Sequence, residues 1–169
     1  MSPALELPVM STTPAQVLHH TCFVVGDVEK TARALSASFG IGPWNIWTIE
    51  PLTATIRGRD ARFSFKVALC NVGGAAYELI EPGEGANLYA EHLASKGEGF
   101  HHTCLAFATR EALVERKAAL LAEGREMVVG GGFGELGEFC YFDIPEVGSP
   151  IELLYIRFDM MPPPELVIE

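Results

Sequence analysis

The pattern of apolar and polar positions divides the chain into two similar series of elements. Apolar residues alternate with polar ones along residues 61–71, which predicts a strand. Residues 26–39 and 109–123 instead carry apolar residues at helical spacing, behind Asp27 and Thr109 as N-cap residues. Each helical pattern follows one apolar strand and precedes several short ones. Each half is therefore predicted to have the order β-α-β-β-β.

The strands that open and close the two halves repeat specific polar residues. His-His-Thr-Cys occurs at 19–22 and again at 101–104, at the start of each half. Each half ends on an apolar strand that carries one glutamate, Glu78 in the first and Glu152 in the second. Repetition at a fixed interval is the signature of duplicated structural units. The sequence thus predicts an α+β fold made of two βαβββ modules.

The remaining segments complete this domain organisation. Residues 57–62 are predicted to form a turn, and the glycine-rich residues 130–137 a mobile loop beside the site. The proline-rich end is expected to be an extended arm that packs on a neighbour or a second subunit. The predicted units are an N-terminal arm (1–15), a first module (16–85), a linker (86–98), a second module (99–157) and a C-terminal tail (158–169).

The repeated polar residues form a candidate metal site. A lone carboxylate in an apolar strand costs several kcal/mol unless it is paired or bound to a metal. Two such carboxylates and two histidines can hold one divalent cation, and this donor set suits Zn, Ni, Co, Fe or Mn. Adjacent strand residues point to opposite faces, so only one histidine of each pair can enter the site. The consistent choices are His20 with His102 or His19 with His101.

Composition narrows the classes of partner and the compartment. The formal net charge is −10, which argues against nucleic acid and anionic membrane as partners. The first 13 residues lack a secretory signal pattern, and no segment has the length of a membrane span. All four cysteines lie in apolar strand patterns without a C-x-x-C pair. We therefore expect reduced core cysteines and a cytoplasmic protein.

From about residue 18 to residue 156 the chain resembles the vicinal oxygen chelate superfamily, which includes glyoxalases, methylmalonyl-CoA epimerases, extradiol dioxygenases and bleomycin-type resistance proteins. The resemblance rests on VLHHTCFVVGDVEKTARAL, YELIEP, GFHHTCLAF and YFDIPEVGSPIELLYI. It implies two βαβββ modules in a cupped, barrel-like mixed sheet around one divalent metal. By the epimerase pattern the ligands are His20, Glu78, His102 and Glu152, with His19 and His101 in supporting roles. It also implies a homodimer.

This resemblance implies an isomerase or lyase. A metal-chelated carbonyl is activated, and Glu78 or Glu152 transfers the neighbouring proton. The first alternative is an iron(II) extradiol-type dioxygenase that uses His20, His102 and Glu152 without Glu78. The second is a non-catalytic small-molecule binding or resistance protein of the same fold.

The expected substrate is a small carbonyl compound or an acyl thioester. Several aromatic residues are candidates for an apolar pocket above the metal. One arginine of a local basic cluster is a candidate for a phosphate or carboxylate of the substrate. The predicted substrate-binding residues are Trp44, Trp47, Phe65, Arg59 and Phe133.

Overall fold

The computed structural model describes residues 16–169, which form one sheet of eleven strands with three helices. The predicted N-terminal arm, 1–15, lies outside the described residues. The strands are β1 (Gln16–Val24), β2 (Trp44–Ile49), β3 (Thr53–Ile56), β4 (Arg59–Asp60), β5 (Phe63–Val72), β6 (Ala75–Gly85), β7 (Gly99–Phe107), β8 (Met127–Gly132), β9 (Gly137–Phe142), β10 (Ile151–Ile156) and β11 (Leu166–Ile168). The helices are α1 (Val28–Phe39), α2 (Leu88–Lys96) and α3 (Arg110–Ala122).

The two predicted modules are related by a pseudo-twofold arrangement in the sheet. The strand order is β11-β2-β5-β6-β1-β7-β10-β9-β8-β3-β4. The central strands β1 and β7 pair antiparallel, β6 lies parallel to β1, and β10 lies parallel to β7. Each module therefore places its first strand beside its last and meets its twin at the β1–β7 pair. This confirms the predicted α+β fold, as a mixed sheet that is open rather than closed into a barrel.

Each long helix begins at the predicted cap and covers the outer face of its own module. The Asp27 side chain accepts from the Lys30 amide (2.9 Å), and the Thr109 side chain accepts from the Ala112 amide (3.2 Å). Helix α1 lies over a core that contains Trp44. The corresponding core of the second module is built on residues of β9, β10 and α3. The opposite, concave face is lined by a third cluster drawn from both modules.

The predicted turn at 57–62 is wrong in part, because this segment belongs to a hairpin. Strand β3 precedes it, and Arg59–Asp60 form β4, with only Arg57 and Gly58 between them. Strand β3 pairs antiparallel with β8 of the second module. The hairpin is thus an insertion from one module that extends the sheet of the other.

The predicted glycine-rich loop is also wrong over its first half. Gly130 to Gly132 lie in β8 and pair with both β3 and β9. A side chain on Gly131 would overlap the ring of Phe139. The glycines here allow an aromatic ring to lie on the strand, and only residues 133–136 remain as the connection between β8 and β9.

The C-terminal tail packs on its own chain; its expected contact with a second subunit stays a prediction. A 3₁₀ turn at Phe158–Met160 follows β10, and β11 then pairs antiparallel with β2. The Glu165 carboxylate accepts from the amide and hydroxyl of Thr48 at 3.0 and 2.9 Å. No helix within residues 16–169 has the length and apolarity needed to cross a membrane.

Candidate metal centre

The register of four neighbouring strands brings the repeated polar residues to one point. In one row across the sheet, Cys22 of β1 lies between Glu78 of β6 and His102 of β7. In the next row, Cys104 of β7 lies between His20 of β1 and Glu152 of β10. Residues opposite each other on paired strands project from the same face. The two rows are equivalent by the pseudo-twofold relation.

The side-chain atoms of the four polar residues converge closely. Nε2 of His20 lies 3.2 Å from Nε2 of His102, 3.2 Å from Oε2 of Glu78 and 3.0 Å from Oε2 of Glu152. Nε2 of His102 lies 3.1 Å from Oε2 of Glu152 and 3.6 Å from Oε2 of Glu78. Ligands about 2.1 Å from one metal are separated by about 3.0 to 3.4 Å, depending on coordination number. These five separations, 3.0 to 3.6 Å, are close to those within a metal coordination shell, and His20, Glu78 and His102 each offer a ligand atom within 4.8 Å of the other two.

Without a cation, the four buried polar side chains do not satisfy all of their hydrogen-bonding atoms. His20, His102, Glu78 and Glu152 are all buried. Oε2 of Glu78 makes no hydrogen bond with any described residue, although Nε2 of His20 is only 3.2 Å away. A buried carboxylate oxygen without a partner is costly. The residues present therefore fit a divalent cation, since two neutral imidazoles and two carboxylates would neutralise its charge.

The charges of the cluster shift its own ionisation. Burial alone lowers the pKa of His20, but the charge of Glu78 and the hydrogen bond and charge of Glu152 outweigh burial and raise the pKa to about 10. Burial alone raises the pKa of Glu152, but hydrogen bonds with His102 and His20 hold it well below the usual range. The pKa of Glu78 is lowered as well, because His20 outweighs burial. Without a cation, His20 therefore holds a proton, and Glu78 and Glu152 beside it stay ionised.

In each histidine pair, the first ring contacts Nδ1 of the second, which is the ring nitrogen that faces away from the cluster. Nδ1 of His19 lies 2.8 Å from Nδ1 of His20, and Nδ1 of His101 lies 2.8 Å from Nδ1 of His102. Burial, followed by the charge of His102, lowers the pKa of His101 to about 3, so this ring is neutral and can accept a hydrogen bond. An N–H on Nδ1 of the inner histidine leaves its Nε2 lone pair directed into the cluster.

A second grouping of possible ligands overlaps the first. His19, His20 and Cys104 also offer three ligand atoms close together. Burial, followed by the charge of Glu152, raises the pKa of Cys104 well above its usual value, which disfavours the thiolate that metals bind. Nδ1 of His19 is already engaged with His20. A cation would neutralise more buried charge if its ligands were His20, Glu78, His102 and Glu152, because this set includes both buried carboxylates.

An apolar cavity of about 90 Å³ opens beside the cluster. His20, Glu78 and Glu152 line its inner end. Three of the predicted substrate-binding residues, Trp47, Phe65 and Phe133, line its walls.

The structure does not bring the other two predicted residues to this cavity. Trp44 is fully buried in the core beneath α1, on the opposite face of β2 from Trp47. Residues three apart on a strand point to opposite faces, so the two tryptophans cannot share one pocket. Arg59 is exposed on β4, at the edge of the sheet. The expectation that Trp44 and Arg59 line the substrate pocket is therefore wrong.

Several cavity residues were not predicted from the sequence. Phe158 and Met161 come from the folded-back tail, and Phe158 stacks on His19 with ring centroids 5.1 Å apart. Phe139 lies in β9 and stacks on Phe133 at 5.3 Å. The alternation of residues 137–142 could have placed Phe139 on the concave face, whereas nothing in the sequence indicates that the tail returns to the cavity.

A sequence profile of the Glyoxalase/Bleomycin resistance protein/Dioxygenase superfamily matches residues 19–142. The chain belongs to this superfamily. The match confirms the resemblance to the vicinal oxygen chelate proteins, and it includes three of the four clustered polar residues; Glu152 follows it. No curated protein sequence matches the chain significantly.

Several solved structures share the fold at low sequence identity. Methylmalonyl-CoA epimerase from Mycobacterium tuberculosis is 18% identical with a TM-score of 0.58, covering 85% of this chain and 89% of its own. An epimerase bound to methylmalonyl-CoA and NH4+ is 19% identical with a TM-score of 0.60, covering 88% and 99%. A hypothetical protein from Bacillus halodurans C-125 is 18% identical with a TM-score of 0.61, covering 87% and 99%. These similarities support the fold and leave substrate and mechanism open.

Proposed function

We propose that this protein is a metal-dependent isomerase or lyase that moves a proton on the carbon next to a carbonyl group. The observation that carries the proposal is the convergence of His20, Glu78, His102 and Glu152, in which Oε2 of Glu78 is buried without a hydrogen bond. These four residues would hold one divalent cation, with Zn, Ni, Co, Mn and Fe all compatible with the donor set. The cation, when bound, supplies Lewis-acid stabilisation of the negative charge that develops on a carbonyl oxygen.

The two carboxylates would perform the proton transfer. Glu78 is the less firmly held, since its Oε2 is 3.6 Å from His102 whereas that of Glu152 is 3.1 Å away. We assign it as the base that takes the proton and leaves the electron pair on the enolate. Strands β6 and β10 flank the β1–β7 pair on opposite sides, so Glu152 approaches from the other side. Inversion of the configuration would require Glu152 to enter the step protonated and to give that proton to the opposite face of the same carbon; exchange with solvent would then remove the proton from Glu78 and return one to Glu152.

The fourth polar residue favours this assignment over the alternatives. An iron(II) oxygenase of the two-histidine, one-carboxylate type needs only three of these groups. Here Glu78 lies as close to His20 as His102 does, at 3.2 Å. A binding protein without catalysis would not need two buried carboxylates beside an apolar cavity, because each costs desolvation energy.

The proposed partner is a small molecule that enters the apolar cavity. The proposal also places the protein in a reducing compartment such as the cytoplasm, which is supported by four free, buried cysteines. The homodimer implied by the family resemblance stays a prediction.

Hydrogen exchange tests the reaction class. The metal-loaded protein is incubated in D2O with a panel of ketones, hydroxyketones and thioesters that carry an acidic α-hydrogen, and the α-proton signal is followed by NMR. We expect catalysed exchange in at least one compound, without consumption of oxygen. Oxygen uptake by the iron(II)-loaded protein on addition of a catechol would instead support the dioxygenase alternative and contradict the proposal.

A further inference from the structure

We propose that the cavity takes an uncharged carbonyl compound with an apolar group the size of an aromatic ring, and not an acyl-CoA thioester. This inference rests on the proposed function only in placing the reacting carbonyl at the four-residue cluster. It is carried by the chemistry of the cavity wall.

The polar side chains of the cavity are the three cluster residues His20, Glu78 and Glu152, and His19, whose ring is stacked on Phe158. The lining includes His19, His20, Glu78 and Glu152, and every other lining residue is apolar or aromatic. The one other N–H, the indole of Trp47, donates to the carbonyl of Pro162 at 3.0 Å. The part of a ligand that points away from the cluster therefore meets carbon, and a polar or charged group there would lose its hydration without replacement.

The aromatic walls come from three separate parts of the chain. Trp47 and Phe65 lie on paired strands β2 and β5. Phe133 and Phe139 form a stacked pair on the second module. Phe158 is 51% exposed although it lines the cavity, so its ring offers apolar surface to a ligand. Aromatic faces in this arrangement favour a flat apolar group between them.

The tail that contributes Phe158 is fixed in place. It is held through Glu165, whose carboxylate binds Thr48, and through Pro162, whose carbonyl binds Trp47. Arg157 makes two hydrogen bonds with Asp159, at 3.0 and 2.7 Å, which close the turn. The wall formed by the tail is therefore built into the first module.

The described lining of the cavity offers no positive charge to a coenzyme A ester. No arginine or lysine is among the described residues that line it. Arg157, the nearest in sequence to the lining residues Ile156 and Phe158, is engaged with Asp159. The phosphates of coenzyme A are normally met by arginine or lysine, and the net charge of −10 adds repulsion.

Binding of two matched chelators to the zinc-loaded protein tests the inference. Benzohydroxamic and acetohydroxamic acids present the same two oxygens and differ by a phenyl in place of a methyl group. By calorimetry, we expect the phenyl compound to bind at least about tenfold more tightly. Propionyl-CoA at millimolar concentration should not displace it. Equal binding of the two acids, or displacement by propionyl-CoA, would overturn the inference.

Two exposed phenylalanines provide a variant and its control. Phe158→Ala should lower the affinity for benzohydroxamic acid at least about threefold and leave that for acetohydroxamic acid unchanged. Phe39→Ala, at a 74% exposed position on α1 outside the cavity, should change neither affinity. If Phe158→Ala kept the full preference for benzohydroxamic over acetohydroxamic acid, the tail would not belong to the substrate site, and the proposal would be contradicted.

A metal-independent probe separates this inference from the proposed function. Acetophenone binding to chelator-treated protein is measured by saturation-transfer NMR, with coenzyme A as the comparison. If acetophenone binds and neither hydroxamic acid does, the metal proposal fails while the substrate class stands. If both hydroxamic acids bind equally and acetophenone does not bind, the substrate class fails while the metal site stands.

Discussion

Nε2 of His20 lies 3.2 Å from Nε2 of His102, although the two residues are 82 positions apart in the sequence. The antiparallel pairing of β1 with β7 produces this contact, because it sets each histidine diagonally across from its repeat. Two imidazoles and two carboxylates then share one buried space. The proposed function depends on this convergence.

Glu78 and Glu152 should differ in what their loss affects. Glu78→Gln keeps the shape but cannot take a proton, so we expect exchange catalysis to fall at least about 100-fold with metal still bound. Glu152→Gln removes the carboxylate that contacts both histidines at 3.0 and 3.1 Å, so metal affinity should fall further than in Glu78→Gln. Exchange rates and metal content are measured together.

Glu84→Gln is the matched control for these variants, because Glu84 lies on the same strand as Glu78 and is exposed. It should retain full exchange and metal content. Wild-type exchange rates in Glu78→Gln would exclude Glu78 as the base.

Metal affinity should rise with pH. The pKa of His20 is raised to about 10 by the two glutamates, so near pH 7 the chelator-treated protein holds a proton there. A cation must displace that proton, and the apparent affinity should increase about tenfold per pH unit for each proton released. Competition with a chromophoric chelator between pH 6 and 8 measures the slope. An affinity independent of pH would show that His20 is not deprotonated on binding.

The cysteines of the repeated motif should not be ligands. Cys22 and Cys104 occupy the centres of the two rows and are fully buried. Their size fits this position, because they leave space for the four longer side chains above them. The double variant Cys22→Ala and Cys104→Ala should keep about one equivalent of metal, by elemental analysis. Loss of metal from this variant, with its circular dichroism unchanged, would favour the His19, His20 and Cys104 grouping.

All four thiols should react slowly in the native protein. Burial, together with the neighbouring glutamates, raises the pKa values of Cys22 and Cys104 well above normal, and burial raises that of Cys140 to about 12. Burial also raises the pKa of Cys70. With a disulfide reagent at pH 8 we expect little reaction within minutes, and four thiols after unfolding in urea. Rapid modification of two or more native thiols would contradict the buried positions.

The sequence predicted the parts of the fold that depend on local pattern and repetition. The helices behind Asp27 and Thr109 and the meeting of the two histidine pairs followed from caps, periodicity and the duplicated motif. The choice of His20 with His102 over His19 with His101 came from the family resemblance, because alternation alone does not say which face of β1 is concave.

The features that the sequence did not predict depend on partners far away in the chain. Strand β3 has four residues and is stabilised by pairing with β8, which no local pattern indicates. Gly131 lies in a strand because the ring of Phe139 occupies the space of a side chain. Phe158 reaches the cavity only because β11 pairs with β2 and returns the tail. The alternation of side chains along β2 could, however, have shown that Trp44 and Trp47 point to opposite faces.

Metal stoichiometry of the purified protein tests the central claim most directly. The protein is prepared without chelator or metal-affinity resin, and Zn, Ni, Co, Mn and Fe are quantified beside His102→Ala and His92→Ala. His92 is half-buried on α2 and packs on His101 with ring centroids 5.0 Å apart, so it is a histidine control that removes none of the four cluster residues. We predict about one equivalent of a divalent metal in the wild type and in His92→Ala, and a loss of at least 90% in folded His102→Ala. Wild-type metal content in His102→Ala, or no metal uptake by the wild type after addition of divalent ions, would contradict the account.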